Sequence, residues 1–150
     1  MIPVLQALLL AENVWKTIDG RHIIAGTFNA IMFTRKENLS KEVESEDGQK
    51  VRLIKGGRRG SPYAFLSLTD VCEDTTLQLQ FVSLNKNEVL FRTEIRLQSV
   101  NRLATYEIPI ELPELNVPEA GTYAFEVVCE GELIGSRRIV AKEMPLNEDE

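Results

Sequence analysis

The stretch KVRLIKGGRRGSPY, Lys50 to Tyr63, gathers the side chains best suited to gripping something charged. Lys50, Arg52, Lys55, Arg58 and Arg59 supply cations, Gly56, Gly57 and Gly60 give the backbone room to fold around a ligand, and Tyr63 adds a flat face for stacking. A guanidinium presents a planar fork of N–H donors that fits a phosphate or carboxylate in two-pronged fashion, so Arg58 and Arg59 are the natural gripping pair. Glycines and charges are also what any long surface loop contains. GGRRGS has neither the glycine spacing nor the strand-to-helix setting of a nucleotide phosphate loop. Pro62 restricts Ser61 to extended geometry, so a strand starting at Tyr63 anchors one end of the loop. The alternation of Lys50 and Arg52 with Val51 and Leu53 permits a short extra strand within it.

Elsewhere the reactive residue types do not assemble. Nucleophilic catalysis needs a base to take the nucleophile's proton and a third group to orient that base. The single histidine, His22, is read as a partly exposed residue at the start of a strand. Cys72 is followed by Glu73 and Asp74, whose negative charge would weaken it as a nucleophile. Cys129 falls on the same alternating face as Tyr123, Phe125 and Val127, which places it in the core. Asp70, Glu73 and Asp74 are the nearest thing to an acidic cluster, without the ligand register of an EF-hand, and the cysteines lack the paired spacing of a zinc site. No catalytic residue, metal or cofactor is expected, and the chain is read as not an enzyme.

Composition sets the frame. A chain of 150 residues with 43% hydrophobic content suits one domain, burying about 70% of the surface its unfolded form exposes. Two cysteines are too few for a disulfide scaffold. The apolar run in MIPVLQALLLAENVW lacks a basic residue before it and meets Glu12 directly after, so it reads as a strand and not as a secretion signal. With no long apolar run for a spanning helix, the expectation is a cytoplasmic protein with no membrane association. A net charge of −6 argues against nucleic acid as partner. That charge is uneven: residues 35–60 hold eight basic and five acidic side chains, a net +3 that leaves −9 for the remainder.

Alternation with a period of two recurs along the chain, and helical periodicity does not. In TLQLQFVSL, Leu77, Leu79 and Phe81 oppose Gln78 and Gln80; after a turn at Asn85 to Asn87, Val89, Phe91, Thr93, Ile95 and Leu97 oppose Arg92, Glu94 and Arg96. These two runs form a hairpin with one wet face. Further runs cover residues 4–11, 23–33, 62–71, 104–112, 122–129 and 133–142. Pro109 marks its run as an edge or bulged strand, and Gly131 supplies the positive φ of a tight hairpin turn. In PEAGTY, Gly121 and Tyr123 stand where an immunoglobulin-like sandwich has a turn and a corner tyrosine, whereas Trp15 falls outside any core strand and the antibody-type Cys and Trp spacing is absent. The expected fold is all-β, an antiparallel two-sheet sandwich, immunoglobulin-like, of eight strands with one long charged loop. Residues 1–143 form the sandwich domain and 144–150 an acidic tail ending in NEDE.

The stretches VLQALLLAE, IIAGTFN, GSPYAFLSLTD, AGTYAFEV and GELIGSRRIV together resemble a family of small bacterial proteins classed only as a domain of unknown function. The resemblance implies a cytoplasmic β-sandwich and carries no activity or site residues. Two functions from different classes are therefore expected of such a chain. One is a non-enzymatic interaction or structural module whose edge strands or basic loop dock onto another protein. The other is a binding domain for an anionic ligand, a nucleotide or acidic glycan, held by the Arg58 and Arg59 loop. Lys50, Arg52, Lys55, Arg58, Arg59 and Tyr63 are the contact residues in either case.

Overall fold

A computed structural model describes residues 2–33, 62–115 and 117–144 in full and residues 42–44 and 50–52 by backbone. Every regular element among them is a strand. Strands β1 (Val4–Lys16), β2 (His22–Thr27), β6 (Tyr63–Thr69) and β9 (Tyr106–Glu111) form a four-stranded sheet in the order β2-β1-β6-β9. A five-stranded sheet runs β3-β11-β10-β7-β8, built from β3 (Ala30–Phe33), β7 (Asp74–Ser83), β8 (Glu88–Gln98), β10 (Gly121–Cys129) and β11 (Glu132–Glu143). Among the described residues, the short β4 (Glu42–Glu44) and β5 (Lys50–Arg52) pair with each other alone.

Alternation decides which side chains meet between the sheets. Ala64, Leu66 and Leu68 of β6 face Leu77, Leu79 and Phe81 of β7 and Tyr123, Phe125 and Val127 of β10, all buried in one cluster. Phe81 stacks on Phe125 at 4.7 Å and on Tyr123 at 5.4 Å between ring centroids. Burying such a side chain stabilises the fold by roughly 1.5 to 3 kcal/mol, so this trio anchors the five-stranded sheet. The Tyr123 hydroxyl donates to the Glu119 carbonyl at 2.6 Å. A buried phenol thus keeps a hydrogen-bond partner and pins the loop before β10. At the other end of β10, Glu130 and Gly131 have φ values of 51° and 80° between the paired residues Cys129 and Glu132. Two successive positive φ values are what a two-residue hairpin loop with native twist requires.

The expected single run over residues 23–33 is two strands in different sheets. Phe28 still donates its N–H to Leu10 of β1, while the next carbonyl, that of Asn29, accepts from Val140 of β11. The chain crosses between sheets within that dipeptide and continues as β3, parallel to β11 in the register Ala30 with Val140. The larger sheet is therefore mixed, which corrects the expectation of a purely antiparallel sandwich, and the two sheets hold nine strands in place of eight. On this side the sheets come close: the Leu5 side chain occupies the space where a Cβ on Gly135 of β11 would lie. Strand β1 runs past the expected Ala11 to Lys16, so Trp15 belongs to a strand, paired with Ile23 and 52% exposed.

On the opposite side the sheets differ in width. With β1 against β11, the strand orders carry the fourth strand of the smaller sheet only as far as β7, and no described strand of that sheet lies above β8. Phe91 and Ile95, expected in the core, are accordingly only partly buried, whereas Leu77, Leu79, Phe81, Tyr123, Phe125 and Val127 are buried as expected. Leu90 is an extra residue in β8, since Phe81 pairs with Phe91 and Val82 with Val89. This bulge turns Val89 off the inner face and leaves it 46% exposed.

Core aromatics should therefore differ in weight. Phe125→Ala is expected to cost ~3 to 5 kcal/mol in denaturant unfolding and Phe91→Ala clearly less, because only the former empties a fully enclosed site. Tyr123→Phe should cost about 1 kcal/mol through loss of its hydrogen bond to Glu119. Equal losses for Phe91 and Phe125 would contradict the overhang of β8.

Candidate functional site

The basic segment is reached by the structure only at its ends. Lys50 and Arg52 lie in β5, the short extra strand that alternation allowed, where Arg52 is registered against Glu42 and Lys50 against Glu44 of β4. Lys55, Arg58 and Arg59 lie outside the described residues. Tyr63 is the first residue of β6, half-buried and held between Ala11 of β1 and Glu111 of β9. The Leu112 N–H donates to the Pro62 carbonyl at 2.8 Å, so the chain leaving the basic segment is fixed to the end of β9.

His22 begins β2, as expected, but it has partners that spacing did not reveal. Its Nδ1 lies 3.4 Å from Oε1 of Glu107 on β9, and its ring meets Phe65 edge-on at 5.4 Å. Phe65 alternates with the core residues Ala64 and Leu66 and so faces away from the sandwich interior, yet it is only 4% exposed. The turn-side end of the β1–β2 hairpin therefore lies over the outer face of its own sheet. No hydroxyl or thiol hydrogen-bonds to His22 among the described residues, and the group is a packing contact with a carboxylate neighbour. At the hairpin tip, Trp15, Ile18 and Ile23 are exposed together.

Both cysteines border one cavity of about 680 Å³ where β7 begins and β10 ends, shared with Glu73, Thr75, Glu130 and Gly131. Once β7 and β10 pair antiparallel, with Leu77 against Cys129, the approach to β7 must pass the β10–β11 turn. That adjacency is a property of topology, invisible to spacing between residues 72 and 129. Thr75 donates its hydroxyl to the Cys72 carbonyl at 2.8 Å, and the Ser99 N–H donates to the Glu73 carbonyl at 2.9 Å. Asp70, Glu73 and Glu130 each hold a positive φ, so the rim backbone is tightly set. Burial first, and then the charge of Glu130, push the Cys129 thiol upward from its ordinary range. Its carboxylate rim makes the cavity a poor seat for an anion. No group of three or more His, Cys, Asp or Glu among the described residues could hold a metal ion.

The outer face of the five-stranded sheet carries a ladder of polar contacts. Arg92 Nε donates to Gln80 Oε1 at 3.1 Å, and Gln80 Nε2 donates to Glu126 Oε1 at 2.9 Å, linking β8, β7 and β10. Arg96 Nε donates to Glu94 Oε1 at 2.7 Å. The wet face of the hairpin is thus organised charge, while its inner face is the half-covered row Phe91, Ile95 and Leu97. Among the described strands, β8 forms one edge of its sheet and β3 the other, a placement of β8 that the hairpin pattern alone did not fix. No described helix is long and apolar enough to cross a membrane. The chain matches no protein-family model and no curated protein sequence.

The two thiols should separate kinetically. Cys129 is 2% exposed with its thiol pushed toward the protonated form, whereas Cys72 is partly exposed, and neither is in a disulfide. In native protein one thiol per chain should react readily with a chromogenic disulfide reagent, the other only on unfolding, and both should react in denaturant without reductant. Mass spectrometry of the labelled peptides identifies the fast site; rapid labelling of Cys129 in the folded state would contradict its enclosure.

Proposed function

We propose that this chain is a non-enzymatic interaction module, an immunoglobulin-like sandwich that holds another polypeptide along the free edge of β8. The observation that carries the reading is the overhang: an 11-residue edge strand without Gly or Pro, whose partly buried inner row Phe91, Ile95 and Leu97 has no described strand of the smaller sheet above it. A free edge presents N–H and C=O groups that an added strand satisfies one after another, and the apolar row gives that strand something to bury. The immunoglobulin-like assignment is supported by Tyr123, whose hydroxyl reaches back from the start of β10 to the Glu119 carbonyl as a corner tyrosine does. The non-enzymatic reading is supported by the separation of the reactive groups, with His22 on an outer face beside Glu107 and Cys129 enclosed between the sheets. Cys72 and Cys129 without a disulfide suit a reducing, cytoplasmic setting.

Affinity capture from a native extract containing the untagged chain tests the reading. Tagged wild type should retain a stoichiometric protein partner, Ile95→Lys should lose it because an inward lysine blunts a strand edge, and Arg58→Ala with Arg59→Ala should keep it. Melting curves for each variant verify the fold. Loss with the arginine pair and retention with Ile95→Lys would move the site to the basic segment and favour the anionic-ligand function.

A further inference from the structure

We propose that the partner strand is β8 of a second copy, paired antiparallel about a two-fold axis at Thr93 to form one continuous sheet of ten strands from the five of each chain. This rests on the reading of β8 as the docking edge.

The four sheet edges are not equivalent. Strand β3 has 4 residues, β2 has 6, and β9 carries Pro109, which removes a ladder donor. Natural sheets blunt exposed edges with short strands, prolines, inward charges or bulges; β8 has 11 residues and neither of the first two nor an inward charge, and its one bulge, at Leu90, lies outside the central residues 91–95. Its inner row needs covering, and a two-fold contact is the simplest way for one surface to cover itself.

A two-fold pairing demands that a strand be compatible with its own reversal. Phe91-Arg92-Thr93-Glu94-Ile95 meets that demand about Thr93; centring on Ile95 also sets Glu94 opposite an arginine, Arg96, but turns Arg92 toward Gln98 and carries Phe91 past the end of the partner strand. With Thr93 opposite its own copy, Arg92 faces Glu94 of the partner subunit twice across the outer face, and Phe91 faces Ile95 of the partner subunit twice across the inner face. Threonine pairs, opposite charges and aromatic with β-branched residues are the favourable cross-strand combinations. Centring on Glu94 would oppose Glu94 to itself and Arg92 to an arginine, and a shift by one residue would set apolar inward side chains against charged outward ones. The monomer leaves the required groups accessible. Arg92 uses Nε on Gln80, and Glu94 uses Oε1 on Arg96 with its side chain 45% exposed. The ladder and the apolar row supply affinity, and the charges select this register.

Sedimentation velocity from about 1 µM to several hundred micromolar reads the result. Wild type should form a dimer, while Arg92→Glu and Glu94→Arg should each weaken self-association by roughly tenfold or more, since each sets like charges opposite one another. Mixing the two single variants should restore a dimer containing one of each, and the double variant R92E/E94R should dimerise alone, because both arrangements return opposite charges to register. Melting curves show that the variants fold. A wild type that stays monomeric overturns the proposal, as does a dimer indifferent to both reversals or a mixture no better than its components. If wild type is monomeric yet captures a different protein that Ile95→Lys releases, self-pairing fails and the docking edge stands; without such capture both fail.

Discussion

The stack of Phe81, Phe125 and Tyr123 is the contact on which the rest of the sandwich depends. These rings join β7 to β10, the two strands whose inward side chains are covered on all sides; β11, β3 and β8 are placed by pairing outward from them, and the smaller sheet packs over them. The stack also sets where the ends of β7 and β10 fall. At one end Tyr123 reaches Glu119 and Asn85 accepts the Thr122 N–H at 2.8 Å, so the β7–β8 loop is tied to the start of β10. At the other end Cys129 and the β10–β11 turn meet the chain entering β7 and enclose the cavity beside both thiols.

Unequal width follows from the way the chain enters. Because it crosses at Phe28 and Asn29, β2 and β3 go to the same side of the two sheets, where Leu5 and Gly135 bring β1 and β11 together. That side is nearly closed. All the mismatch between four strands and five is then collected at the other side, as the overhang of β8. Burial records it directly: Leu77, Leu79 and Phe81 on β7 are enclosed, and Phe91, Ile95 and Leu97 one strand further out are not. An edge with a half-covered apolar row is thus a consequence of topology, produced by a crossover some sixty residues away in the chain.

The parts of this architecture that are local were legible in the amino-acid order. The β7–β8 hairpin, the turn at Gly131, the inward faces of Tyr123 and Cys129 and the edge character of the strand with Pro109 all rest on alternation or on one residue's backbone preference. What was missed is non-local. The run over residues 23–33 alternates throughout, and only the partners available at Leu10 and Val140 split it between sheets. The bulge at Leu90 leaves no mark in an apolar Val-Leu-Phe series, since any of the three residues could be the extra one. His22 and Glu107 are brought together by folding of a hairpin over a sheet face, which spacing does not encode. Of the basic segment, Tyr63 and the strand at Lys50 and Arg52 were foreseen, and the overhanging edge was not.

A long unprotected edge is a hazard unless the contact it makes comes to an end. Head-to-tail pairing of β8 with a different edge would leave a free edge on each side and propagate into a fibre, whereas a two-fold contact consumes both copies of β8 at once. The outer edges then left on the larger sheet are the two β3 strands, 4 residues each, too short to template further growth. Arg92 and Glu94 act in the same direction. Centred on Glu94, Arg92 would meet an arginine and Glu94 itself, and a shift of one residue would set both against apolar side chains; centred on Ile95, Glu94 keeps an arginine opposite, but Arg92 loses its carboxylate and Phe91 its strand partner, so slipped pairings hold fewer contacts. The sequence of β8 thereby answers two demands that conflict on most edges, keeping an apolar row to bury while its flanking charges favour a partner strand of complementary charge over a mismatched one.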